Sequence, residues 1–225
     1  MQLIQLLQTL QLMDSFFPVG AFAYSDGLET AAAAGHVSDA ETLHQWIDHF
    51  IDAVFVPCEG LALVKSMTAL GASDYEALRE LDIELTAIRP ASAVRAAGTG
   101  VGKRVLAAYG SICRDENFDA LCRLLPHGNA ATAYGLVFFH RGIPASEAAA
   151  ALGYNRLAGI VSAGLRLISI GQRQGQALLT QGIERLPSAV DRILAMESEP
   201  LRSFSPLLDI QQMNHRYVYS RLFRS

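Results

Sequence analysis

Apolar residues recur along this chain every three or four positions, and no stretch alternates with the two-residue period of a half-buried strand. Leu3, Leu6, Leu7, Leu10 and Met13 form one stripe of a first helix that stops at Asp14-Ser15. Ser38 with Glu41 reads as a capping box opening a helix with Leu43, Trp46, Ile47 and Phe50; Pro57 is expected to kink or restart it, with a second stretch to about Leu70. Ser73 with Glu76 predicts the next start, ahead of Leu78, Leu81, Leu85 and Ile88, and Pro90 ends it. Further helices are predicted over 92–113, 116–125 and 129–141. From Pro144 to Ser169 apolar residues keep to no single face, the pattern of a bundle's centre. Two shorter helices follow over 172–183 and 187–197, the second opened by Pro187. After Ser198 the pattern weakens, and Pro200 and Pro206 interrupt it. The prediction is an all-α, single-domain helical bundle of about nine or ten helices over 1–197. Residues 198–225 are read as a flexible C-terminal tail with little core of its own, ordered when a partner covers it.

Composition narrows the classes. A chain of 225 residues can bury a substantial core. Charged residues make up 18%, against about 25% in typical domains, which suits a protein that hides surface in oligomer or partner interfaces. A net charge of −4 offers no field for phosphate backbones, so no nucleic acid is expected. Polar residues interrupt every apolar stretch before about 18 residues accumulate, so no membrane span is expected. The N-terminus lacks the basic region of a signal peptide, and Cys58, Cys113 and Cys122 read as separate reduced thiols; a cytoplasmic protein is expected.

Candidate chemistry is sparse. Gly98-Thr99-Gly100-Val101-Gly102-Lys103-Arg104 approaches a phosphate loop, but Ala97 and Arg104 replace the first glycine and the final hydroxyl. No strand leads into it, so glycines that let helices approach closely are the favoured explanation. Ala23-Tyr24-Ser25-Asp26-Gly27 falls short of a hydrolase elbow for want of a first glycine and a strand; Ser25 reads better as a helix N-cap. His36, His44, His49, His127, His140 and His215 include no pair four apart on a helix, so no tight metal site is expected, although a transient nickel contact through His127 or a cysteine stays open. Glu29, Glu59 and Glu84 sit on apolar helices, where a buried carboxylate needs a partner. No acid–base pair stands out.

Binding features are richer. Between Asp14 and Glu29 aromatic residues crowd a turn, where polar residues are usual, so the turn is expected to be covered by its own domain or by a partner. The end of the chain, His215 to Ser225, alternates rings and guanidinium groups, the side chains enriched at interface hot spots.

Both segments resemble the UreF family of urease accessory proteins. Asp14, Ser15, Pro18, Gly20, Phe22, Ser25, Gly27, Leu28 and Glu29 fill every fixed position of the family's D-S-x-x-P-x-G-x-F-x-x-S-x-G-L-E stretch. His215, Tyr219, Ser220, Arg221, Leu222, Phe223 and Ser225 match its C-terminal pattern. Residues 127–135 and the segment Leu165 to Gln172 match more weakly, with Ser169 where the family has proline, so that helix is expected to run on further. The resemblance implies a non-catalytic, homodimeric scaffold that bridges UreD (UreH in some organisms) and the GTPase UreG. Nickel would be handled by that complex and inserted into apo-urease, with no cofactor held tightly by this chain. It places His215, Tyr217, Tyr219, Ser220, Arg221, Leu222, Phe223, Arg224 and Ser225 against UreD, and Arg166 and Gln172 on the UreG side or the dimer seam. Two alternatives stand beside it: an all-α enzyme with a pocket near His127 and Glu29, and a direct nickel carrier.

Overall fold

The computed structural model describes residues 2–113 and 115–224; Ser225, at the end of the predicted tail, lies outside them. They form an all-α, single-domain fold: α1 (Leu3–Met13), α2 (Leu28–Ala33), α3 (Ala40–Gly71), α4 (Tyr75–Ala87), α5 (Ser92–Cys113), α6 (Glu116–Cys122), α7 (Ala130–His140), α8 (Ala145–Leu167), α9 (Gln172–Ala195) and α10 (Pro206–Asn214).

The helix starts lie one residue beyond the predicted caps. Asp39, not Ser38, opens α3: its Oδ1 accepts from Thr42 N at 2.9 Å, and Asp39 N donates to Thr42 Oγ1 at 3.1 Å. Ahead of α4, Ser73 takes φ +56° and Asp74 Oδ1 accepts from Ala77 N at 3.0 Å. In both places a carboxylate, the better acceptor, follows the serine. Two prolines expected to divide helices do not. Residues Ile51–Gly60 of α3 wind as wide π turns, which carry the Pro57 ring clear of the carbonyl it would meet in an α turn. Pro187 sits inside α9 on its solvent face, above exposed Ile183, where water can take the freed carbonyl. α3 is long and apolar enough to cross a membrane, yet 72% of its most apolar window is buried inside the protein.

The centre of the bundle is α7 rather than α8. Every residue from Ala131 to Phe138 is buried, enclosed by α3, α5 and α8, whereas α8 keeps Tyr154 and Arg166 outside. Two features allow α7 to be so crowded. Gly102 of α5 lies against the turn before α7, where a Cβ would fall 2.1 Å from the Gly128 carbonyl oxygen; close approach thus explains Gly102, whereas a Cβ at Gly98 or Gly100 would meet only ordinary contacts at 3.4 and 3.5 Å. The fully buried Asp82 carboxylate then holds that turn. Its Oδ2 accepts from His127 N and Gly128 N at 2.7 and 2.9 Å, and its Oδ1 from Asn129 N and Thr132 Oγ1 at 2.8 and 2.6 Å. The backbone amides of the His127–Thr132 motif are thus engaged in starting a helix.

The two chain ends depart from expectation in opposite senses. On α1 only Thr9, Leu12 and Met13 are buried, while Leu3, Leu6, Leu7 and Leu10 face solvent. After Ser198 the chain is not a coreless tail: Leu201, Leu208, His215 and Phe223 are buried and α10 packs against α2 and α5. Ser205 Oγ meets His49 Nε2 at 2.5 Å, and Arg202 N donates to the Pro57 carbonyl at 2.9 Å.

Candidate partner-binding site

The turn between α1 and α2 is shaped by local chemistry. Asp14 ends α1, and its Oδ1 accepts from Phe16 N at 2.6 Å; Ser15 and Pro18 are exposed. Phe17 and Val19 turn inward, while Phe16 stands 93% exposed, so the aromatic turn is only partly covered by its own domain. Gly20, at φ +63°, reverses the chain, and Arg104 Nε of α5 donates to the Val19 carbonyl at 2.6 Å. Gly27 is the residue that flanks α2, at φ +88°, with Leu28 and Glu29 buried just after it. Ser25 contributes one step back: its Oγ accepts from Glu29 N at 3.4 Å.

Glu29 carries the site. Its carboxylate, 4% exposed, meets His215 Nε2 at 2.7 Å through Oε2; Oε1 accepts from Leu222 N at 2.6 Å, and Oε2 also from Phe223 N at 3.3 Å. One buried carboxylate therefore gathers a side chain and two amides from the end of the chain. Gly27 is placed for the same purpose, because a Cβ there would lie 3.0–3.3 Å from Gln211 and Gln212 of α10. Arg224 N donates to the Ala23 carbonyl at 2.8 Å. Arg166, at the end of α8, stacks its guanidinium 4.2 Å above the Phe223 ring and donates Nη2 to the Phe22 carbonyl at 3.3 Å.

Three segments read separately in the sequence, Asp14–Glu29, Arg166 and His215–Arg224, thus meet in one face. Within it His215 and Phe223 are anchors, whereas Tyr217, Tyr219, Ser220, Arg221, Leu222 and Arg224 are exposed. Gln172 is exposed as the first residue of α9, beyond the break at Ile168–Gly171. That break comes on time despite Ser169: α8 ends at Leu167 and Ile168 is extended. His127 and Glu29 are engaged separately; the first sits on the Asp82-bound turn, and the second is committed to the chain's end.

Sequence reasoning missed a polar cluster beneath this face. Arg156 of α8 is ion-paired with Asp26 and donates Nε to Glu59 Oε2 at 3.0 Å; Arg89 donates Nη2 to Glu59 Oε1 at 2.8 Å. Burial opposes the charge on Arg156, but Asp26 and Glu59 more than offset it and hold its proton more tightly than usual. A charged residue inside an otherwise greasy helix was the available signal. Among the described residues no three His, Cys, Asp or Glu side chains are grouped to hold a metal ion, and the three cysteines are free.

Fold and face together define an all-helical protein whose two ends are joined into one composite surface. The chain belongs to the UreF family: the family's sequence model matches residues 37–182. It is 34% identical over 223 residues to the urease accessory protein UreF of Microcystis aeruginosa, covering 98% of each chain. The UreF of Kocuria rhizophila is 31% identical over 229 residues, with 98% of this chain and 97% of that one covered. That of Trichormus variabilis is 30% identical over 219 residues, covering 97% and 95%. The match to the relatives, over 97–98% of this chain, extends past the family model at both ends.

Proposed function

We propose that this protein is a non-catalytic, cytoplasmic scaffold of urease maturation. As a homodimer it joins UreD (UreH) to the GTPase UreG, so that nickel reaches apo-urease as cargo of the complex. The observation that carries this reading is the composite face itself. A buried anchor, Glu29 with His215, holds the end of the chain so that Tyr217, Tyr219 and Leu222 project into solvent, each at least 68% exposed. Exposed tyrosines and arginines beside a fixed backbone are what a protein interface requires, since little ordering entropy remains to be lost on binding. UreD is assigned to His215–Ser225, and UreG or the second protomer to the side bearing Arg166 and Gln172. Family membership supports the setting in urease maturation.

The test is a pull-down of UreD and UreG by the full chain and by a chain ending at Asn214, with and without GTP and nickel. The full chain should retain both partners, and the shortened one should lose UreD while staying folded. Normal UreD capture by the shortened chain would remove the tail assignment. Turnover of a small substrate by the isolated protein would remove the scaffold reading altogether.

A further inference from the structure

The polar cluster beneath the face borders a cavity of about 80 Å³, room for a ligand of a few heavy atoms. It lies between the α1–α2 turn, α5, α7 and α8, away from the exposed side chains of the composite face. Its wall is small and apolar along Ala97 and Gly98, and its polar lining includes Arg89, Arg156, Asn129 and Tyr134. Tyr134 is 2% exposed, and its hydroxyl has no hydrogen-bond partner among the described residues. A buried hydroxyl left in that state is costly, and buried polar groups in native proteins are nearly always paired.

The chemistry of the lining selects among ligands. Asp26 and Glu59 already accept from guanidinium groups, so a cation meets no free carboxylate. Arg89 donates through Nη2 and Arg156 through Nε and Nη2, which leaves N–H groups of both five-donor forks for another acceptor. Burial pushes the Tyr134 hydroxyl up to about 12, so it keeps its proton and remains a donor at neutral pH. The Asn129 amide adds a further donor beside Gly98, within 3.4 Å of where a Cβ there would lie. Residues bearing donors thus line a small space whose own carboxylates are already paired with guanidinium groups.

We propose that this cavity binds a small planar oxyanion of formate to acetate size, with Tyr134, Arg89 and Arg156 donating to its oxygens. The site goes beyond the scaffold reading and does not depend on it. The test is a titration of the full-length protein, without partners, with carbon-13-labelled formate, acetate and bicarbonate, followed by line broadening of the ligand, with urea as the neutral planar control. One saturable site is expected for at least one oxyanion, and urea should not displace it. Tyr134→Phe deletes only the unpartnered hydroxyl. It should leave the thermal midpoint unchanged or raised, while weakening oxyanion binding about tenfold, the size of one charge-assisted hydrogen bond. Absence of saturable binding by all three anions would overturn the proposal, as would equal affinity in Tyr134→Phe or displacement by urea at equal concentration.

Discussion

The two ends of this chain carry opposite relations between pattern and packing. α1 has a clear apolar stripe and not one charged residue from Gln2 to Met13, yet Leu3, Leu7 and Leu10 are each more than half exposed. The other end has a broken pattern and two prolines, yet it returns to the body and buries His215 and Phe223. The difference lies in what each end finds to hold. α1 reaches the body through few groups: Gln5 Nε2 donates to the Gly142 carbonyl at 2.6 Å, and Asn155 Nδ2 to the Met13 carbonyl at 3.1 Å. The C-terminal end meets a buried carboxylate already positioned by α2. Apolar periodicity states which face of a helix can be covered; a directional polar anchor decides which segment is covered.

Glu29→Ala breaks that comparison most severely. It leaves His215 and the amides of Leu222 and Phe223 without their acceptor in a buried setting, a loss on the order of 3–5 kcal/mol. The C-terminal segment can release instead of dragging down the whole fold, so loss of amide-exchange protection over 215–224 should exceed the fall in the urea midpoint. Protection unchanged over those residues would show that Glu29 is not the anchor.

The body should answer to alkali where the ends do not. Burial pushes the Tyr109 and Tyr134 hydroxyls up to about 12, Tyr109 also giving or taking a hydrogen bond with His140 Nδ1 at 2.7 Å. In the unfolded chain both ionise near 10. The stabilisation is therefore complete below about 10 and is lost as pH rises toward about 12, at most ~3 kcal/mol for each tyrosine. Absorbance of tyrosinate should show two of the seven tyrosines resisting ionisation until the protein unfolds.

Phe223→Ala is a milder cut at the same end as Glu29. It removes a buried ring from beneath Arg166, at about 2–3 kcal/mol, at or below the low end for Phe truncation because the ring lies at the edge of the body. Exchange at Leu222, Phe223 and Arg224 should quicken while α7 stays protected. Equal loss of protection in α7 would mean that the segment and the core open together.

Much of the fold was legible in the sequence because helix periodicity and stop signals are local. α5 coincides with its predicted span, 92–113, and α7 and α8 fall within a residue or two of theirs. What was not legible depends on contacts remote in sequence. Pro57 and Pro187 read as breaks because a proline's effect depends on whether the turn widens or the freed carbonyl faces water. α8 read as the centre because its apolar residues keep to no single face, while its half-buried Arg156 is balanced by Asp26 and Glu59 from distant segments. The partner segments of the face were each readable, Glu29 as a carboxylate in want of a partner and His215 as part of a motif. That they answer one another across 186 positions was not.

The smallest effect sharpens the comparison from the other side. Leu7→Gln and Leu10→Gln replace side chains that are 53% and 58% exposed, so each should change stability by about 0.5 kcal/mol or less. Glutamine is a good helix former, and α1 already carries four of them at Gln2, Gln5, Gln8 and Gln11 or at its edge, so helicity should persist. Chemical denaturation of the double variant should therefore overlay the parent curve in dilute solution, where no other protein lies against α1. A drop of 2 kcal/mol or more, of the size seen for core truncation, would mean that these leucines are covered in the free protein. In that case α1 too would be docked by its stripe, and the contrast with the carboxylate-anchored end would fail.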